Sequence, residues 1–455
     1  MDRGPRPSAN VIKKSFRPIR YDGQAHTVSR VPAASMRGLF KRKRLAPLVR
    51  RMFIVAATLA GSTSVVLAAN THAYWIEAWY SAPVAPSHSF SCVQIRSFDD
   101  QSVRQVVHLE AGGAELRVRL TNELGRSDLK VSAVRVALSS PSGVAEPGTD
   151  RIVTFEGRQN LNIARGAAAV SDPVELRVRR FEDIAVSVYY SGRVAPSGHL
   201  HEVLISRQGD HTAEAIWSNV DLEQAPSIVS GVEVESPAPR PVLVAFGDSI
   251  TEGCDCDMSF HPWDYPDQLA QLLAHGPDGL RWVVINSGIS GNQLLHNGAR
   301  SVGPNARARF RRDAIEIPGV RVIVLLEGIN DIGFHDSEPN KHPVSAKQII
   351  AGYRELIREA HARGIRIYLG TLTPYEGASY ASPAGEIVRH QVNAWIRRGK
   401  GFDGVIDFDH VLRDPAHPLR YLNAYQRGDN LQPNVAGYRL MARTVYRELF
   451  AHYSR

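Results

Sequence analysis

Hydrophobic positions recur with two different periods along this chain. Between Tyr74 and about Glu235, apolar and polar residues alternate one by one. Glu115-Leu-Arg-Val-Arg-Leu120, Val131-Ser-Ala-Val-Arg-Val-Ala-Leu138 and Asp183-Ile-Ala-Val-Ser-Val-Tyr189 show the pattern. Turn-forming clusters stand between them at Gly112-Gly113, Pro141-Ser-Gly143 and Pro147-Gly148. A period of two between such turns predicts half-buried antiparallel strands, and their regular spacing predicts a sandwich or jelly roll. Ser236-Pro-Ala-Pro-Arg-Pro241 reads as a linker, after which 242–455 should form a domain able to fold alone.

From Val242 the apolar runs become continuous and alternate with helical periodicity. Val242–Phe246, Arg281–Ile285, Val320–Leu326, Ile365–Leu369 and Val405–Phe408 read as strands buried on both faces. Helices are predicted over Tyr265–Ala274, Ser345–Arg363, Gly385–Arg398 and from about Val435 onward. Strands and helices in alternation predict a parallel sheet covered on both sides, with any site in loops beyond the strands' carboxyl ends. No internal repeat is visible.

Composition adds location rather than fold. The 455 residues carry 54 Lys/Arg and 46 Asp/Glu, a formal charge of +8. Of these, 14 and 2 fall within residues 1–73, leaving 40 basic and 44 acidic residues for the remainder. The remainder is mildly acidic, which argues against a nucleic-acid partner. The basic excess belongs to Lys41-Arg-Lys-Arg44 and Arg50-Arg51, which precede the apolar stretch Met52–Ala69 and small residues at Ala68, Ala69 and Ala73. That order predicts a secretory signal and a secreted or periplasmic protein, the alternative being an anchor formed by residues 52–69. Residues 1–35 lie upstream of this signal, and Met36 is the better-placed start. Cys92, Cys254 and Cys256 lack zinc-site spacing, so no metal is expected; they read as free thiols or, if oxidised, as Cys92 paired with one of the other two.

Candidate chemistry gathers where the buried strands end. The first is followed by Gly247-Asp-Ser249-Ile-Thr-Glu-Gly253, which puts a serine hydroxyl on a tight turn, a suitable place for a nucleophile. The second leads into Asn286-Ser-Gly-Ile-Ser-Gly291-Asn292, and the third into Glu327-Gly-Ile-Asn330-Asp331. The backbone N–H groups of Ser249 and Gly291 with the side-chain amide of Asn330 would make the donor set that an acyl-transfer intermediate needs.

In this order and setting, Gly-Asp-Ser-Ile-Thr-Glu-Gly, Asn-x-Gly-x-Ser-Gly-Asn, Gly-x-Asn-Asp and a late Asp429-x-x-Gln432-Pro-Asn434 resemble the four sequence blocks of the SGNH (GDSL) hydrolases, over about Val242–Leu449. Trp79 and Leu116-Arg-Val-Arg-Leu-Thr-Asn122 in the first half resemble the N-terminal domain of a branch with aryl and acetyl esterases associated with xylan breakdown. The resemblance implies an α/β, flavodoxin-like three-layer domain with a parallel sheet, preceded by an all-β sandwich or jelly roll. It implies ester hydrolysis without metal or other cofactor on a small-molecule or glycan ester of short acyl chain. Ser249 would be the nucleophile, Ser249, Gly291 and Asn330 the oxyanion hole, and Asp429 the acid that orients the base.

The last block departs from the family at the base itself, where Gln432 occupies the histidine position. An amide is not a usable base near neutral pH, whereas imidazole titrates near 6.5. His335, just past Asn330, is the first substitute to test, ahead of His410, His417, His261 and His296. Asp331, Glu327 and Glu252 read as loop hydrogen-bonding groups. The expectation is a slow serine esterase, with an acyl-glycan-binding remnant or an acyltransferase as alternatives.

Overall fold

The computed structural model describes residues 73–85, 96–253, 264–276, 281–297, 303–334 and 343–450. The apolar stretch 52–69, the three cysteines, His261 and His335 lie outside the described residues. In the first half, strands β1 (Tyr74–Tyr80), β2 (Gln101–His108), β3 (Leu116–Thr121), β4 (Leu129–Val131), β5 (Ala133–Leu138), β6 (Arg151–Ile152), β7 (Leu161–Ile163), β8 (Ala168–Val170), β9 (Asp183–Tyr190), β10 (His199–Gln208), β11 (Asp221–Ser227) and β12 (Val229–Ser236) form antiparallel sheets. One runs β1-β12-β3-β8, a second β11-β10-β2-β9-β5-β6, and β4 pairs with β7. The alternation in β3 puts Leu116, Val118 and Leu120 fully inside while Arg117 and Arg119 reach outward, as its period requires. The run Val131–Leu138 is not one strand: it breaks at Ser132, whose backbone N–H donates to Tyr189, so β4 and β5 enter different sheets. Pro226 sits in β11 at a sheet edge, where its missing N–H costs no ladder bond.

The second half is an open five-stranded parallel sheet, ordered β14 (Val283–Gly288), β13 (Val242–Gly247), β15 (Val320–Leu326), β16 (Arg366–Gly370) and β17 (Gly404–Ile406). All six residues of β13 are buried, consistent with its unbroken apolar run. Its helices are α1 (Ser249–Glu252), α2 (Tyr265–Ala274), α3 (Ala306–Phe310), α4 (Ile329–Gly333), α5 (Ala346–Ala362), α6 (Pro383–Arg397), α7 (Phe408–Leu412) and α8 (Val435–Phe450). A capping box at Ser345 and Gln348 starts α5, and Ser382 with Pro383 starts α6. Phe408, read as the end of a strand, instead opens α7, because Asp407 caps the helix there by accepting from the His410 N–H. The fold is therefore an α/β parallel-sheet domain behind an all-β half.

One contiguous apolar core runs through both halves, and polar contacts cross between them. Tyr80 donates to Asp313 Oδ1 at 2.7 Å, His199 Nε2 lies 2.6 Å from Glu252 Oε1, and Arg180 Nη2 donates to the Ala270 carbonyl at 3.1 Å. Ser236 at the end of β12 is buried, and residues 237–239 between the halves are exposed.

Candidate active site

β13 lies between β14 and β15, so the three motif-bearing loops leave the sheet side by side. Close packing at the strand ends demands glycine. A Cβ on Gly247 would stand 2.2 Å from Thr251 Oγ1 and 2.3 Å from the Leu326 carbonyl. A Cβ on Gly288 would stand 2.3 Å from the Glu252 backbone nitrogen. The turn into α1 is fixed by Asp248, whose Oδ1 accepts from the Ile250 N–H at 2.9 Å, and Ser249 is the first residue of the helix.

The second loop is tied to the first by the Ile289 N–H donating to the Gly247 carbonyl at 3.0 Å. Gly291 adopts φ 70°, a left-handed conformation that favours glycine. Asn330, buried in α4, donates from Nδ2 to the Asn292 carbonyl at 2.9 Å, and Tyr380 Oη donates to its Oδ1 at 3.3 Å. Asp331 accepts from the N–H groups of Leu294 and Leu295 at 2.6 and 2.9 Å. The second and third loops are thus sewn together around the proposed oxyanion-hole residues. Asp331 acts as the loop-bonding group expected of it.

Gln432 is brought to Ser249: Nε2 donates to Ser249 Oγ at 2.9 Å, although the two residues are 183 positions apart. The side chain is 8% exposed, and its Oε1 has no hydrogen-bond partner. Asp429 stands in the same loop but makes another bond. Its Oδ1 accepts from the backbone N–H groups of Leu431 and Gln432 at 2.9 and 2.8 Å, shaping the turn. Of the other histidines considered, His410 interacts with Arg413 and the His417 N–H donates to the Asp414 carbonyl, while the backbone of the same segment bonds back to Arg420.

Beneath the loops lies a residue that the sequence did not single out. Arg309 is 1% exposed and donates Nε to Asn292 Oδ1 at 2.8 Å, Nη1 to the Ser287 carbonyl at 2.9 Å and Nη2 to the Gly247 carbonyl at 2.8 Å. Its guanidinium stacks on Phe246 at 3.9 Å and pairs with Asp313 at 3.4 Å. It is one of four arginines within residues 307–312, the other three exposed or part-exposed, so no compositional signal separates it. Asp313, which holds it, lies in a short π-helical segment at Arg311–Ile315 and also pairs with Arg312.

Two carboxyl groups sit close by. Burial pushes the Asp248 carboxyl up to about 7, with the Asp331 charge adding to the effect. Burial also raises Glu327 well above the usual carboxylate range, Asp248 reinforces this, and neither Glu327 oxygen has a partner. Both acids keep their protons to higher pH folded than unfolded, so the folded state binds more protons between about pH 4 and about pH 7. Stability should therefore fall as pH rises through that window. Glu327→Gln, which mimics the protonated acid, is expected to flatten this fall. Urea unfolding across that range checks this; a slope equal to wild type would show that Glu327 does not titrate there.

Among the described residues no group of three His, Cys, Asp or Glu side chains could hold a metal ion, and no helix is long and apolar enough to cross a membrane. The family model for GDSL-like lipases and acylhydrolases matches residues 245–440. No functionally curated sequence is matched. Similar solved structures include an acetylxylan esterase from Geobacillus stearothermophilus, in a catalytic-mutant form, with 23% identity over 48% of this chain and 98% of that one, TM-score 0.37. A GDSL-like lipase from Bacteroides thetaiotaomicron is 18% identical over 45% of this chain and 86% of its own, TM-score 0.33.

Proposed function

With its parallel-sheet half belonging to the GDSL-like lipase/acylhydrolase family, we propose that this protein is a serine ester hydrolase whose turnover is held back by Gln432. Ser249 attacks the ester carbonyl, Ser249 and Gly291 backbone amides and the Asn330 amide receive the oxyanion, and water later releases the acid. One observation carries the reading: the only side chain hydrogen-bonded to Ser249 Oγ among the described residues is an amide donor. A donor on Oγ cannot take up the hydroxyl proton, so among the described residues no general base stands at Ser249. A short acyl group is the substrate that the resemblance favours, and Tyr380 packs on Gly333 and Phe334 beside Asn330. Hydrolysis of a short aryl ester by wild type and Ser249→Ala tests the assignment; a wild-type rate that survives Ser249→Ala refutes it.

We place the protein outside the cytoplasm on the strength of the basic cluster before Met52–Ala69. Terminal sequencing of exported protein should find the mature N-terminus between about Ala68 and Tyr74. An exported chain still carrying residues before Met52 rules out cleavage of this signal.

A further inference from the structure

We infer that the β half is part of the machinery that presents Ser249, with His199 and Tyr80 as positioning residues gripping the nucleophile turn from both sides. The inference rests on Ser249 being the nucleophile. After the turn, the grip falls on Glu252, the last residue of α1 and three positions beyond Ser249. His199 of β10 is 6% exposed; its Nδ1 lies 2.7 Å from the Ala82 carbonyl and its Nε2 2.6 Å from Glu252 Oε1. Both partners are acceptors, so both ring nitrogens donate and the ring is an imidazolium facing a carboxylate. Burial alone would lower the pKa of this ring, but the Glu252 charge and hydrogen bond outweigh it and raise it above 6.5. A second histidine, His201, lies with its ring tilted 4.9 Å away and is driven well below 6.5 by burial and by the His199 charge, so it stays neutral and bonds Ser81 Oγ at 2.8 Å.

Before the turn, the grip passes through three buried polar contacts. Tyr80 of β1 donates to Asp313 at 2.7 Å, Asp313 pairs with Arg309, and Arg309 holds the carbonyl of Gly247, two residues before Ser249. Residues 247 and 252 are the two ends of the turn that carries Ser249, and each is tied to a different strand of the β half. A four-residue helix has too few internal bonds to hold its own geometry. Fixing both ends from outside is what keeps the Ser249 Oγ and N–H aimed at one reacting carbonyl. A misplacement of about 1 Å can cost on the order of 10²-fold in rate.

The two histidine nitrogens can be separated by substitution. Gln at 199 places an amide N–H where Nε2 was and keeps the bond to Glu252; Asn places one where Nδ1 was and keeps only Ala82. The first readout is the affinity of phenylboronic acid, followed by boron NMR on the full chain. Ser249 Oγ forms the B–O bond, its proton leaves to water, and the tetrahedral adduct occupies the oxyanion hole. No general base is needed at equilibrium, so this measurement does not depend on ester turnover. The second is kcat and KM for a short aryl ester in a Gln432→His host. His199→Asn is expected to weaken the boronate about ten-fold or more and to lower kcat similarly with KM little changed, whereas His199→Gln stays within about three-fold of the parent. Tyr80→Phe, which keeps the ring and loses only the donor to Asp313, should act in the same direction as His199→Asn and serves if the latter does not fold. Equal behaviour of the Asn and Gln variants, wild-type affinity in Tyr80→Phe, or no adduct on the wild-type protein would each overturn the inference. Absent ester turnover alongside an adduct sensitive to His199→Asn would instead count against the hydrolase reading alone.

Discussion

Gln432→His is expected to raise kcat for a short aryl ester by several orders of magnitude while KM changes little. Loss of the base from a serine triad costs up to about 10⁶ in kcat, equivalent to about 8 kcal/mol of barrier. An intact oxyanion hole sustains on the order of 10³-fold catalysis over water without it. Gln432 already reaches Ser249 Oγ at 2.9 Å from a buried position, so the backbone places a residue-432 side chain correctly. An imidazole there would accept the proton that the amide cannot, and it acts on the transition state, leaving ground-state binding alone. Asp429 now spends Oδ1 on two backbone amides, but a carboxylate offers about four lone-pair sites, so a second oxygen can receive the imidazole N–H. Adding Asp429→Asn to Gln432→His should then take back about 10²–10⁴ of the gain. Wild type, Ser249→Ala, Gln432→His and the double variant are to be compared by steady-state kinetics. Equal, brisk rates for wild type and Gln432→His, both lost with Ser249→Ala, would defeat this account and point to another base, with His335 tested first. No activity in either, despite native folding, would favour the acyl-binding reading.

Arg309→Met is expected to be the most damaging single change to the scaffold, lowering stability by about 3–5 kcal/mol, a melting shift on the order of 10 °C. Methionine restores much of the volume and the contact with Phe246. It takes a donor away from three buried acceptors, the Gly247 and Ser287 carbonyls and Asn292 Oδ1, of which the Gly247 carbonyl keeps the Ile289 N–H. Each buried acceptor left without a donor costs about 1–3 kcal/mol. Asp313 would keep Arg312 and Tyr80 as partners, so the loss is in the loops rather than in a stranded charge. Arg309→Lys keeps the charge but cannot fork to three acceptors, and should fall between. Calorimetry decides the matter; a methionine variant as stable as wild type would mean that the loops hold themselves together.

How far the sequence alone reaches depends on how local the determinant is. The buried strands declared themselves because a parallel sheet covered on both faces needs unbroken apolar runs, and β13, β15 and β16 fall within a residue or two of the expected bounds. α5 was equally legible, since Ser345 and Gln348 mark its start chemically. The short helices α1, α4 and α7 were not, because four or five residues show no periodicity and are fixed by caps and neighbours. Ser132 looked like the polar member of an alternation, and only its bond to Tyr189 in another strand reveals the break. At the site, the motif residues could be read because each ends a strand. Arg309, His199 and Tyr80 could not, because their roles lie in partners 62, 53 and 233 positions away. Asp429 shows the same limit, for its spacing to residue 432 serves the turn itself before it can serve any base.

The polar seam between the halves has a consequence for how ligand can reach Ser249. Opening the molecule about residues 237–239 would strip Asp313 of Tyr80, Glu252 of His199 and the Ala270 carbonyl of Arg180, all at once. Breaking buried charged bonds of this kind costs several kcal/mol in total, so a rocking motion is rarely sampled. Side-chain rearrangements that leave these bonds intact occur in picoseconds to nanoseconds, far faster than the microseconds to milliseconds of domain hinges. Any ligand that reaches Ser249 would therefore meet a floor braced by the β half.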